Sequence, residues 1–350
     1  MEQRRSRFWQ TAAGARTADA LTFAALNALQ LRHGREATTP AQIDDYLARH
    51  GDLSLDRFHA APPGAAGPVL PPPDAAPRHD PSTGLPVGYP VAWDTPHPGP
   101  IAANNRARAD FFPAGGDDGV GWTGRPTVFL LHALMSASDR GYRRWAGEFN
   151  RRGWNACFVH GPYHYSRVPP GCFNGELAIG CDMLRTSEAL RQGVSELRQL
   201  RAALARAGGR EWGLWATSYG GWIGALWACV EAGFRFVALI QPIIDVHDVI
   251  WRSPAGATIR RQLRRVGMGA DLPALPRLLR LGTAAWHRPL DPAERVLLFA
   301  GDHDRAVTPQ SLEALHRRWE GSRFVRGPQG HLGFYLMPEA WRQLDAGGFL

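Results

Sequence analysis

Lysine is absent: all 40 basic residues of this 350-residue chain are arginine. Against 32 acids they leave a formal charge of +8. No basic run interleaved with aromatics and no nucleic-acid-binding motif accompanies that charge, so it reads as composition bias and not as a nucleic-acid footprint. Cysteine is scarce. Cys157, Cys172, Cys181 and Cys229 form no CxxC pair and no His/Cys cluster at zinc spacing, so no metal is expected. Cys172 and Cys181 would be able to bridge in an oxidising compartment, but the expectation is free thiols in a cytoplasmic protein. No run of 18 apolar residues occurs, which argues against a membrane-spanning helix. A Walker loop, a strand followed by GxGxxG and an HExxH are all missing, so no cofactor is called for.

What is present divides along the chain. Arg4, Arg5 and Arg7 precede a moderately apolar stretch at 18–31, interrupted by Asp19 and Asn27. Leu21, Ala25, Leu26, Leu29 and Leu31 fit one helical face, so the stretch is read as a helix and not as a secretory leader. Thr39-Pro40-Ala41 predicts the start of a second helix through Asp44, Tyr46 and Leu47. Residues 1–60 are therefore expected to form a helical N-terminal extension. Residues 61–100 hold 13 of the 28 prolines, which rules out a helix or central strand; 61–86 reads as a linker or surface strap.

From about residue 87 strands alternate with helices, the pattern of an α/β fold with a mostly parallel twisted sheet and helices on both faces. Strands are expected near 89–93, 107–112, 127–132, 156–160, 212–216, 236–240, 296–300 and 323–326, and helices at 142–152, 183–207, 219–232, 309–319 and roughly 331–344. Residues 245–292 break the alternation and are read as a helical lid insertion within one domain, 87–350.

The run LWATSYGGWIGALWA takes an apolar strand through Ser218 directly into a helix. A serine on so sharp a turn needs small residues two positions before and after it, here Ala216 and Gly220. Such a hydroxyl becomes a nucleophile only with a base to take its proton, and the base works best when a carboxylate orients it. The strand RVLLFA leads into GDHDRAVTP, which offers Asp302 and Asp304; the strand at 323–326 leads into GPQGHLG, which offers His331.

The segments HALMS, HGPYHYSRVPPG, Gly175-Glu176, RTSEALRQGVSELRQLRAAL, ATSYGG, GDHDRAVTP and GHLG together resemble the α/β-hydrolase superfamily over residues 87–345, and within it a sparsely characterised abhydrolase-domain branch. The resemblance implies the α/β-hydrolase fold and a triad in the order Ser218, acid, His331, with Asp304 matching the acid position and Asp302 the alternative. It also implies an oxyanion hole from the backbone N–H groups of Tyr219 and Leu134, with Met135 as the alternative to Leu134. Ala216 in place of the glycine of GxSxG is the visible departure.

The activity so implied is a serine hydrolase cleaving an acyl ester, a carboxylesterase or lipase-like enzyme acting on a small-molecule or lipid substrate. The same triad would serve a thioesterase, acyltransferase or peptidase, and a non-catalytic binding protein on this scaffold is the reading from another class. His132, Met135, His164 and Arg167 are expected to contact substrate, although His164 and Arg167 equally suit anchoring their loop. Between Trp251 and Leu290 stand eight arginines and one acid, Asp271, which would favour an anionic substrate or membrane surface, or else form a solvated face. Trp222, Trp227, Trp251 and Trp286 line an acyl pocket on one reading and belong to the core on the other.

Overall fold

Two apolar runs set the middle of the molecule. Thr127–Leu131 and Val296–Gly301 are buried along their whole length. Alternate side chains feed two cores: Val128, Leu130, Leu297 and Phe299 face one, Phe129, Leu131, Leu298 and Ala300 the other. In the computed structural model, which describes residues 10–115 and 121–350, both runs are strands of one eight-stranded sheet. The reading of Arg4, Arg5 and Arg7 lies outside the described residues.

The strands are β1 (Tyr89–Asp94), β2 (Arg106–Phe112), β3 (Thr127–Leu131), β4 (Asn155–His160), β5 (Trp212–Thr217), β6 (Phe234–Ile240), β7 (Val296–Gly301) and β8 (Arg323–Gly327), in the spatial order β1-β2-β4-β3-β5-β6-β7-β8. β2 runs antiparallel to β1 and β4; the other pairs are parallel. The mostly parallel sheet expected from the alternating pattern is therefore present, with each expected strand within two residues of its place.

Helices α1 (Ala12–Gln30), α2 (Pro40–His50) and α3 (Leu55–Phe58) precede the sheet. Within it come α4 (Arg140–Arg151), α5 (Met183–Arg206) and α6 (Tyr219–Ala228), then α7 (Val246–Trp251), α8 (Ala257–Arg265) and α9 (Leu275–Arg280) between β6 and β7, then α10 (Pro309–Arg318) and α11 (Leu336–Ala346). α4 and α11 share one face, where Trp145 lies 5.6 Å from Trp341 and 4.9 Å from Trp215 between ring centroids. On the other face α5, α6 and α10 bury Val194, Leu197, Leu226, Trp227 and Leu312.

The segment before the sheet is fastened to it. Thr39 and Gln42 close a capping box at the start of α2, with Pro40 as the first helical residue. The proline-rich stretch lies across the surface, where Trp122 donates to the Pro72 carbonyl at 2.7 Å and Arg143 to that of Pro86 at 2.8 Å.

Three expectations need correcting: α6 ends at Ala228 and not at 232, because the chain must turn through Gly233, at a φ of 95°, into β6, and the two others concern the first and last helices. The buried face of α1 is Gly14, Ala15, Ala18, Asp19, Phe23 and Gln30, whereas Leu21 and Leu31 are 69% and 56% exposed. Small residues let α1 approach the body closely, and the polar ones on that face find hydrogen bonds there. The last helix begins at Leu336 and not near residue 331, because the Gln329 side chain accepts the N–H groups of Tyr335 and Leu336 (2.9 and 3.0 Å) and so caps it at that point. All four cysteines are free. No described helix is long and apolar enough to cross a membrane.

Candidate active site

β5 ends at Thr217 and the chain turns on Ser218, whose φ of 51° and ψ of −110° strain an L residue. The strain is held by close packing. A Cβ on Gly220 would lie 2.6 Å from the His132 carbonyl oxygen and 2.7 Å from Leu131 Cβ, so only glycine fits. The methyl group of Ala216 finds room because residue 224 is also glycine; a Cβ there would sit 3.0 Å from Ala216 Cβ. The departure from GxSxG is thus absorbed one turn further along α6.

The turn projects a nearly buried hydroxyl toward the loop after β8. Ser218 Oγ lies 2.8 Å from His331 Nε2, and His331 Nδ1 lies 2.8 Å from Asp304 Oδ2. The other oxygen of Asp304 accepts the N–H groups of Ala306 and Val307 at 2.8 and 2.9 Å, while Oδ2 also accepts Gln241 Nε2 at 2.6 Å. A carboxylate held this way is acceptor only, so His331 donates from Nδ1 and turns the Nε2 lone pair to the serine. Burial alone would lower the His331 pKa; the charge and hydrogen bond of Asp304, with a contribution from Asp19, outweigh it and raise the pKa above 6.5. Asp302 stands apart: its carboxylate accepts from Arg326 at 2.8 Å on a partly exposed surface.

Beside the hydroxyl, backbone donors are unevenly used. The Ala133 N–H donates to Tyr142 Oη and that of Gly220 to the His132 carbonyl, each at 2.9 Å. Burial pushes the Tyr142 phenol up to about 12, so it stays neutral. Among the described residues no acceptor takes the N–H of Tyr219 or Leu134. Met135 turns the loop through a φ of 54°.

Other expected contacts lie behind the elbow. The Arg167 guanidinium is fully buried, bidentate to Glu196 (2.6 and 2.8 Å) and donating to the carbonyls of His160 and Asn104. His164 is likewise buried and donates from Nδ1 to the Pro162 carbonyl at 2.8 Å. His132 donates to the Ala133 carbonyl and accepts the Gly161 N–H at 3.0 Å. All three side chains are buried in this structure, Arg167 and His164 bonded within their own loop and its surroundings and His132 bridging Ala133 and Gly161.

Trp222 and Trp227 are core residues, Trp222 also donating to the Gly282 carbonyl at 2.5 Å. Arg280 ties the insertion to the Gly51 and Leu53 carbonyls, while Arg261, Arg264 and Arg265 remain exposed on α8. A cleft of about 670 Å³ opens between α7 and α10, lined among others by Asp245, Arg252, Arg305 and Arg318; neither Ser218 nor His331 lines it.

Three residues of the site carry no motif. Gln241, just after β6 with a φ of 48°, bridges Asp304 and the Gly330 carbonyl (2.6 and 2.7 Å), and accepts from Gln329 Nε2 at 2.5 Å. Asp19 of α1 accepts the N–H groups of His331 and Leu332 at 3.0 and 3.1 Å. The one sequence signal for these was polarity in apolar surroundings: a glutamine closing the run FVALI, and an aspartate inside an apolar helical stretch.

No protein-family model matches the chain, and no curated protein matches it. Solved structures do. An acetyl xylan esterase from a Paenibacillus species superposes with a TM-score of 0.58 at 16% identity, covering 89% of this chain and 96% of that one. One from a Thermoanaerobacterium species gives 0.56 at 15% identity with the same coverage. A puromycin-hydrolyzing peptidase of Mycobacterium tuberculosis gives 0.52 at 17%, covering 79% of this chain and 44% of that one. Together with the strand order and the turn at Ser218, these likenesses establish the architecture: the chain has the α/β-hydrolase fold.

Proposed function

We propose that this protein is a serine hydrolase that cleaves acyl esters through an acyl-enzyme on Ser218. The observation that carries the reading is the unbroken relay from Ser218 Oγ to His331 Nε2 and from His331 Nδ1 to Asp304, each link 2.8 Å, on a strained strand-to-helix turn. Ser218 Oγ attacks the acyl carbonyl carbon while its proton passes to His331 Nε2. The carbonyl oxygen gains the negative charge and is received by the N–H groups of Tyr219 and Leu134, at the positive end of α6. As the tetrahedral intermediate collapses, the C–O bond to the leaving alcohol breaks and His331 returns the proton to it. Water then attacks the acyl-enzyme and gives a proton to Nε2; the acyl C–Oγ bond breaks, Nε2 returns the proton to Ser218 Oγ, and the acid leaves.

Esters are favoured as the substrate class because two of the similar folds are named esterases. The test is turnover of p-nitrophenyl esters of graded acyl length by the full chain. The reading requires hydrolysis by the wild type and a loss of about a thousandfold or more in Ser218→Ala. Equal rates in the two proteins would end it.

A further inference from the structure

α1 belongs to the segment before the sheet, yet it reaches the catalytic loop. Asp19 is completely buried, and its two oxygens are used separately: Oδ2 accepts the N–H of His331 at 3.0 Å and Oδ1 that of Leu332 at 3.1 Å. The approach requires glycine at 330, where a Cβ would lie 2.7 to 2.9 Å from the carboxylate atoms. A buried charge in the middle of a helix is costly, and nothing at a helix terminus offsets it here. Its compensation is the histidine loop itself: two backbone donors and a nearby imidazole that becomes cationic when it takes a proton.

We propose that Asp19 is a positioning residue for His331: it fixes the backbone of residues 331 and 332 so that Nε2 meets Ser218, and its charge supports the imidazolium formed during reaction. The inference rests on the serine-hydrolase reading. Charged and titratable groups facing His331 are Asp304 from the loop after β7, Ser218 from the elbow and Asp19 from α1; Arg16, Asp302, His303 and Arg305 line the open space beyond Asp304. Both carboxylates act on the imidazole in the same sense, so removing one charge lowers the pKa of the base and weakens it.

The experiment is an NMR titration of the His331 imidazole in the full chain, assigned by its loss in His331→Ala, for wild type and Asp19→Asn. Fluorophosphonate labelling rates are followed against pH in parallel. The proposal expects the His331 pKa of Asp19→Asn to fall by about half a unit or more, the acid limb of labelling to move to lower pH with it, and the plateau rate to drop about tenfold. Should Asp19→Asn not fold, Gly330→Ala serves instead: its methyl group displaces the carboxylate while leaving the charge in the chain, and the same direction is expected. An unchanged His331 titration in a folded variant overturns the proposal, even if ester turnover shows the hydrolase reading to be sound. A shifted titration without any labelling at Ser218 sustains the Asp19–His331 link and removes the hydrolase reading.

Discussion

Three histidines around the elbow, the partly buried His331 and the buried His132 and His164, divide into two kinds. His331 lies between a hydroxyl and two carboxylates and has its pKa raised. His132 and His164, their rings 4.4 Å apart behind the elbow, have backbone hydrogen-bond partners and aromatic neighbours and no carboxylate partner among the described residues. Burial lowers the pKa of both, that of His164 to about 3. At His132 and His164 burial prevails and lowers the pKa, whereas at His331 the carboxylate at Nδ1 outweighs burial and raises it. Residue type does not separate the two kinds, and neither does position after a strand. The partners do.

That contrast is open to attack, beginning where the effect is largest. Asp304→Asn removes the partner that distinguishes His331, and kcat/KM should fall by about a hundredfold to ten-thousandfold, with the acid limb moving to lower pH. A loss under threefold would show that the carboxylate is not what sets this histidine apart. Next comes the pH profile of the wild type. The base works when neutral, so activity is lost as pH falls through a raised pKa; kcat/KM should show one acid limb above pH 6.5. An acid limb at or below 6.5 contradicts the account.

His164→Phe probes the other side. It should leave that limb in place while costing about 1–3 kcal/mol in urea unfolding, from the lost bond to the Pro162 carbonyl. Because the folded pKa of His164 is depressed, its unfolded form takes up a proton first as pH drops below 6.5. Wild-type stability therefore falls from there toward pH 3, and His164→Phe should flatten that slope. Smallest of all, Asp302→Asn removes a partly exposed pair with Arg326, and kcat/KM should change less than twofold. A large loss there would exchange the roles of the two aspartates.

The parts legible in the sequence are those that local geometry demands. A strand buried on both faces must be apolar throughout, so TVFLL and VLLFAG were visible as strands. A serine on a strained turn must have small neighbours, so Ser218 stood out. Asp19 was visible only as an interruption, since its meaning lies in an amide 312 residues away. Gln241 and Gln329 are likewise read only once three strand ends come together. Leu21 and Leu31 misled because apolar spacing on α1 does not specify which face docks; Gly14, Ala15 and Ala18 make the close face by being small. His164 and Arg167 sat on the expected edge of the sheet, but whether a loop side chain points out to substrate or back to a buried Glu196 is decided by packing, not by spacing.

The central claim, that Ser218 is a nucleophile activated by His331, is tested most directly by treating the full chain with a fluorophosphonate and locating the adduct by peptide mass spectrometry. The account predicts a single adduct, on Ser218, in the wild type and its disappearance in a folded His331→Ala. A folded wild type that takes no adduct, carries it on another residue, or keeps it undiminished without the imidazole would contradict it.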